Sequence, residues 1–146
     1  MSQPANSNIC GPVAIINIMK FFGFRATKNN LSFVKFQCRY ENGTDEADIT
    51  STLKTLTTLK FFIRKVPTIE QIDKHLNNNG SILMLTVVQD KKETFGHYWI
   101  ITDLDENGYT CHNLFKTNEY LTRKELEKQL AHTWDDMPKA WFISHR

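Results

Sequence analysis

Asn8-Ile9-Cys10-Gly11-Pro12-Val13-Ala14, running on through Ile15, Ile16, Ile18 and Met19 to Phe22, is the stretch that decides the fold. It reads as a cysteine at the first turn of a buried helix. Pro12 suits the start of a helix, where a missing N–H costs nothing and φ is already near the helical value. The residues that follow are apolar on most faces, as in a core helix, and Gly23 supplies a C-terminal stop. Cys10 would then sit where unpaired N–H groups and the positive end of the helix dipole converge, an arrangement that favours the thiolate. Free cysteine is also among the most buried residue types. Position alone therefore leaves Cys10 either a reactive thiol or a packing residue, and partners further along must decide.

Composition narrows the classes. The 146 residues fit one domain, 1–146, large enough to bury a core without staples. A net charge of +2, spread over charges of both signs, implies no strong field for nucleic acid or membrane. Three cysteines without regular spacing argue against a disulfide scaffold and for a reducing compartment such as the cytoplasm. No apolar run is long enough to span a bilayer, and residues 1–8 lack the pattern of a signal peptide.

In chain order, residues 28–36 predict a short second helix. Residues 41–44 break it, with Gly43 supplying turn geometry. Residues 45–59 predict a third helix with Ala47, Ile49, Leu53 and Leu56 on its buried face. Residues 60–66 have strand character, and Thr68 with Gln71 caps a helix that ends before Asn79 and Gly80. Residues 81–89 are nearly all apolar and read as a strand buried on both faces. Residues 96–102 and 109–115 read as strands joined through a turn at residues 105–108. Thr122 with Glu125 forms a second capping box, for a helix carrying Leu126 and Leu130, and residues 140–143 predict a last strand. The sum is an α+β domain: helices first, then an antiparallel sheet.

His97 opens an apolar strand directly after Gly96, an odd place for a polar ring unless it faces a cleft. Asn113 lies sixteen residues on. A five-residue turn at residues 104–108 would set the two on one face, whereas a two-residue turn at Asn107 and Gly108 would set them on opposite faces. Cysteine, histidine and asparagine in this order supply nucleophile, base and orienter. Taken singly, His97 also reads as a hydrogen-bonded core histidine and Asn113 as a turn or edge residue.

The string Cys10-Gly11-Pro12-Val13-Ala14, the helix ending at Phe22 and Gly23, and Gly96-His97-Tyr98-Trp99-Ile100-Ile101 with a polar residue sixteen beyond the histidine resemble the papain-like peptidases of the bacteriocin-processing type. Those domains remove leader peptides after a double glycine, often at the N-terminus of an ABC transporter. The resemblance covers essentially the whole chain and includes the Gly43-Thr44 pair before the third helix. It implies acyl transfer through a thioester, with Cys10, His97 and Asn113 catalytic and no cofactor or metal. The Cys10 N–H and a side-chain amide would hold the oxyanion.

That family usually carries a glutamine six residues before the cysteine. Here that place is Pro4, so Gln3, or alternatively Asn6 or Asn8, would donate. Ile9 stands where an aspartate is common, and Asn113 where aspartate is frequent. Gly43, Thr44 and Gly96 are the candidate substrate-pocket residues, although a plain turn accounts for the first two.

Cys38 and Cys111 lack metal-ligand spacing, and His75, His132 and His145 read as surface residues. Asp135 and Asp136 read as a solvated loop. Three functions fit these residues. One is a peptidase acting on a peptide or protein, with a transporter partner. Another is a glutamine deamidase or transglutaminase-type effector working on a partner protein in a target cytosol. The third is a non-catalytic peptide-binding domain, which retention of all three triad residues argues against.

Overall fold

Helix α1 (Cys10–Phe21) begins at the cysteine, and every residue from Gly11 to Met19 is buried. Ile15 and Ile18 are fully buried, which contributes about 1.5–3 kcal/mol each. The helix stops as the sequence predicts. Gly23 takes φ 81°, its N–H donates to the Lys20 carbonyl at 3.1 Å, and the Phe24 N–H donates to the Met19 carbonyl at 2.8 Å. Those two bonds form a Schellman motif, which needs the left-handed residue that glycine supplies without steric cost. The computed structural model describes residues 10–25, 27–30, 32, 46–90, 93–113, 116–134 and 136–145.

Residues 28–30 and 32 are helical, and the remainder of the second predicted helix lies outside the described residues. Helix α2 (Glu46–Leu56) is shorter than predicted and turned differently. Ala47 is exposed and Thr52 is buried in its place; the Thr52 hydroxyl is satisfied by donating to the Asp48 carbonyl at 2.6 Å. Back-bonding of this kind lets a threonine occupy a core position that a hydrophobicity count assigns elsewhere. Beyond it, the chain runs through β1 (Lys60–Lys65), α3 (Ile69–Asn77), β2 (Ser81–Asp90), β3 (Glu93–Leu104), β4 (Gly108–Asn113), β5 (Lys116–Thr122), α4 (Arg123–Ala131) and β6 (Lys139–Ser144). Both predicted capping boxes are present, with Thr68 and Gln71 opening α3 and Thr122 and Glu125 opening α4.

The six strands form one antiparallel sheet in the order β1-β6-β2-β3-β4-β5. The last strand of the chain is therefore internal. Ala140 to Ile143 are buried on both faces, whereas most of β1 is exposed and forms an edge. Strand β5 is absent from the sequence-based expectation. It is polar, lies at the opposite edge and leaves Tyr120 exposed, so it carries no hydrophobic run to announce it. The predicted strand 60–66 ends one residue early, at Lys65, because Val66 takes φ 44°.

Each face of the sheet has its own core. On one, Leu83, Leu85, Tyr98, Ile100, Trp141 and Ile143 pack under α1 and α2. On the other, Ile82, Met84, Trp99, Ile101, Cys111 and Phe142 pack under α3 and α4. This alternation along β2, β3 and β6 is the period-two pattern of a sheet covered on both sides. His75 is not a surface residue as expected. It is half-buried at the end of α3, its Nε2 lies 3.1 Å from the Ser81 carbonyl and 2.8 Å from the Ile143 carbonyl, and its ring packs against Phe62 and Phe142. His132 and His145 are exposed.

Candidate active site

Cys10 is the first residue of α1 and is half-buried. Burial pushes its thiol pKa up, while the nearby backbone groups of Tyr98, Gly11 and Cys10 itself pull it down. Burial is the larger effect. This corrects the expectation that the helix N-terminus alone favours the thiolate: the backbone groups are there, but the desolvation that accompanies a buried helix outweighs them. A thiol in this setting needs a base to ionise it.

The effect of the Tyr98 backbone, and the packing of Cys10 against the core that holds Tyr98, locate the sulfur beside β3. In an antiparallel ladder, alternate residues turn their N–H and C=O to opposite neighbours. Ile100 pairs with His112, and β4 ends one residue further on, at Asn113, which pairs with Lys116 of β5. In that register the described part of β4 reaches Asn113, and Tyr98 and His97 lie beyond the last described pair of the two strands. The Tyr98 backbone approaches the Cys10 sulfur at this level. The residue immediately before Tyr98 is His97, which is 4 % exposed.

The β3–β4 connection is neither of the two turns considered from sequence. Residues 105–107 join the strands, and the Asp105 carboxylate accepts from the N–H groups of Asn107 at 2.8 Å and Gly108 at 3.0 Å. Leu104 pairs with Tyr109 and Asp103 with Thr110, but Ile101 then pairs with Cys111. Thr102 is the extra residue of a β-bulge. By shifting the register by one, it sets His97, four residues from Ile101, on the same face of the ladder as Cys111; the side chain of Asn113 lies outside the described residues. Without the bulge His97 and Cys111 would fall on opposite faces.

Gly96 has a packing reason. A Cβ there would lie 2.8 Å from the Met137 sulfur and 2.9 Å from Leu85 Cδ1. Met137 belongs to the same core as Tyr98, and Cys10 packs against it. Gln3, Asn6, Asn8, Gly43, Thr44 and Cys38 lie outside the described residues. Cys111 is buried, and its thiol pKa is pushed up to about 12, chiefly by burial. Asp136 is exposed, its Oδ1 3.7 Å from Lys65 Nζ. Sequence reasoning missed the Tyr98 backbone, which leaves no signature in side-chain identity.

The peptidase domain of ComA from Streptococcus, described as a bi-functional ABC transporter involved in a quorum-sensing pathway, superposes with a TM-score of 0.68 at 14 % identity, covering 99 % of this chain and 97 % of that one. The chain has the fold of the bacteriocin-processing, papain-like peptidases. A double-glycine-motif protease from an AMS/PCAT transporter, solved with a leader peptide, superposes with a TM-score of 0.65 at 8 % identity over 99 % of this chain and 89 % of that one. A C39-like peptidase from Bacillus anthracis gives 0.67 at 9 % identity over 99 % and 94 %. No family model matches the sequence, and no curated protein matches it. Among the described residues, no helix is long and apolar enough to cross a membrane.

Proposed function

We propose that this chain is a papain-like thiol peptidase that cleaves a peptide bond through Cys10, His97 and Asn113. The observation that carries the reading is the approach of the Tyr98 backbone, one residue beyond His97, to the Cys10 sulfur at the start of α1. The fold shared with leader-peptide proteases supports it. In this reading the His97 ring reaches the sulfur beside Tyr98, and Asn113 orients the ring.

His97 takes the thiol proton, and the sulfur attacks the scissile carbonyl carbon. The oxyanion that forms is held by the Cys10 N–H and by a side-chain amide, that of Gln3 or of Asn6 or Asn8. Collapse expels the amine, which His97 protonates, and leaves a thioester on Cys10. Water then gives a proton to His97 and its oxygen to the acyl carbon, releasing the acid and restoring the thiol. The substrate is a peptide, presented by a transporter partner, and the chemistry requires a compartment that keeps Cys10 reduced.

The test is incubation of the protein with peptides carrying a double-glycine leader, followed by mass spectrometry. The expected result is hydrolysis at one bond, lost in Cys10→Ala and in His97→Gln. A one-dalton gain at glutamine, or cleavage that survives Cys10→Ala, would contradict it.

A further inference from the structure

Thr86 of β2 is the cross-strand partner of His97, and both are buried. Trp99 lies two residues from His97 on the same face of β3, and it is 2 % exposed. Its indole Nε1 donates to the Thr86 hydroxyl at 2.8 Å, diagonally across the ladder. The indole therefore leans back from its own row toward the row of Thr86 and His97. On that face Thr86 stands opposite His97 on the β2 side, with the Trp99 indole bonded to it.

We propose that the Thr86–Trp99 hydrogen bond is a clasp that positions the His97 ring toward the Cys10 sulfur. The proposal rests on His97 being the base of the proposed reaction. An imidazole on a strand has more than one staggered side-chain direction available, and its direct cross-strand neighbour limits which of them it takes. Thr86 is that neighbour, and the indole bond fixes it in place. The clasp touches neither substrate nor sulfur, so Thr86 and Trp99 are positioning residues. The hydrogen bond also fixes the indole itself: a buried N–H must find an acceptor, and Thr86 Oγ1, opposite His97, supplies it. A tryptophan here would otherwise be interchangeable with any large apolar residue of the core under α3 and α4.

The test compares Thr86→Val, which keeps the shape and removes the acceptor, with Thr86→Ser, which keeps the hydroxyl, and with Trp99→Phe, which removes the donor. Two readouts are followed: the rate of Cys10 alkylation by iodoacetamide at pH 6, and the His97 ring signals in long-range ¹H–¹⁵N spectra. Thr86→Val and Trp99→Phe should slow alkylation by about 10- to 100-fold, the scale of a base displaced by about an ångström. Both should also shift or split the His97 ring signals. Thr86→Ser should stay within about threefold of the wild type with its ring signals unmoved. If Thr86→Val does not fold, Trp99→Phe and Thr86→Ser give the same comparison. Unchanged ring signals and alkylation in Thr86→Val and Trp99→Phe, with His97→Gln slow, would overturn the clasp alone. An alkylation rate unaffected by His97→Gln would overturn the reading of the base beneath it.

Discussion

The Tyr98 backbone approaches the Cys10 sulfur and pulls its pKa down, so two residues 88 positions apart in the chain meet at the first turn of α1 beside β3. Everything proposed for this protein is organised around that meeting. It depends on a helix packed tightly enough to deliver its first residue to that strand.

Gly96 lies two residues from Tyr98 on the same face of β3, with the Met137 sulfur and Leu85 packed where its side chain would go. Gly96→Ala is expected to cost about 1–3 kcal/mol, because both neighbours must give way in a packed core. The same substitution in a Met137→Ala background should cost less. Thermal unfolding of the two singles and the double gives the coupling, and strict additivity would show that Met137 is not what excludes the Cβ.

How far could this have been read without coordinates? Helix α1 was legible from Pro12, its apolar run and Gly23, because each acts locally and each agrees with the others. The two capping boxes were legible for the same reason. The face that His97 shares with Cys111 was not. It turns on the bulge at Thr102, which shifts the register by one, and nothing about a threonine in a strand declares a bulge. Strand β5 was hidden by its polar edge composition, and the place of β6 between β1 and β2 is a long-range choice that local patterns leave open. His75 was misread because a histidine near the end of an amphipathic helix usually faces water; here two carbonyls, from β2 and β6, receive it.

Asp73 joins α3 to the distal hairpin and α4. It accepts from the Tyr109 hydroxyl at 2.6 Å and from Arg123 Nη1 at 2.6 Å, and the same Arg123 nitrogen lies 3.0 Å from the Tyr109 hydroxyl. Desolvation and the bond to Asp73 push the Tyr109 pKa well above its ordinary value. Asp73→Ala is expected to destabilise by about 1.5–3 kcal/mol, the range for losing hydrogen bonds to a charged group in a partly buried setting. Chemical denaturation checks this; a loss below about 0.5 kcal/mol would mean the cluster merely decorates the surface.

Thr122 ends β5 and caps α4 at once, its Oγ1 accepting from the Glu125 N–H at 3.2 Å while Glu125 accepts from the Thr122 N–H at 3.1 Å. Thr122→Ala should cost about 1 kcal/mol and Thr122→Ser much less, since serine keeps the accepting oxygen. Equal losses for both would locate the effect in the strand and not in the cap.

The buried Cys111 predicts a loss of stability in alkali. Its folded pKa is pushed up to about 12, above the ordinary value of 9.0, so above pH 9 the unfolded chain releases a proton that the folded chain retains. Stability contributed by this group is intact below pH 9 and falls as pH rises toward 12. At pH 10 the loss from Cys111 alone is about 1.4 kcal/mol relative to pH 7. Burial shifts Cys10 in the same direction. Denaturation profiles between pH 7 and pH 10 should therefore decline in the wild type and decline less steeply in Cys111→Ala. Parallel profiles would remove this cause.

The most direct measurement is the pH dependence of Cys10 alkylation in the wild type and in His97→Gln, with the labelled cysteine assigned by peptide mass spectrometry. A half-buried thiol without a base would react only as the pH climbs past its raised pKa. If His97 takes the proton, the wild type reacts already near pH 6, and His97→Gln loses that low-pH reactivity by at least about 100-fold while keeping the alkaline limb. Identical profiles for the two proteins, each rising only above pH 9, would contradict the account.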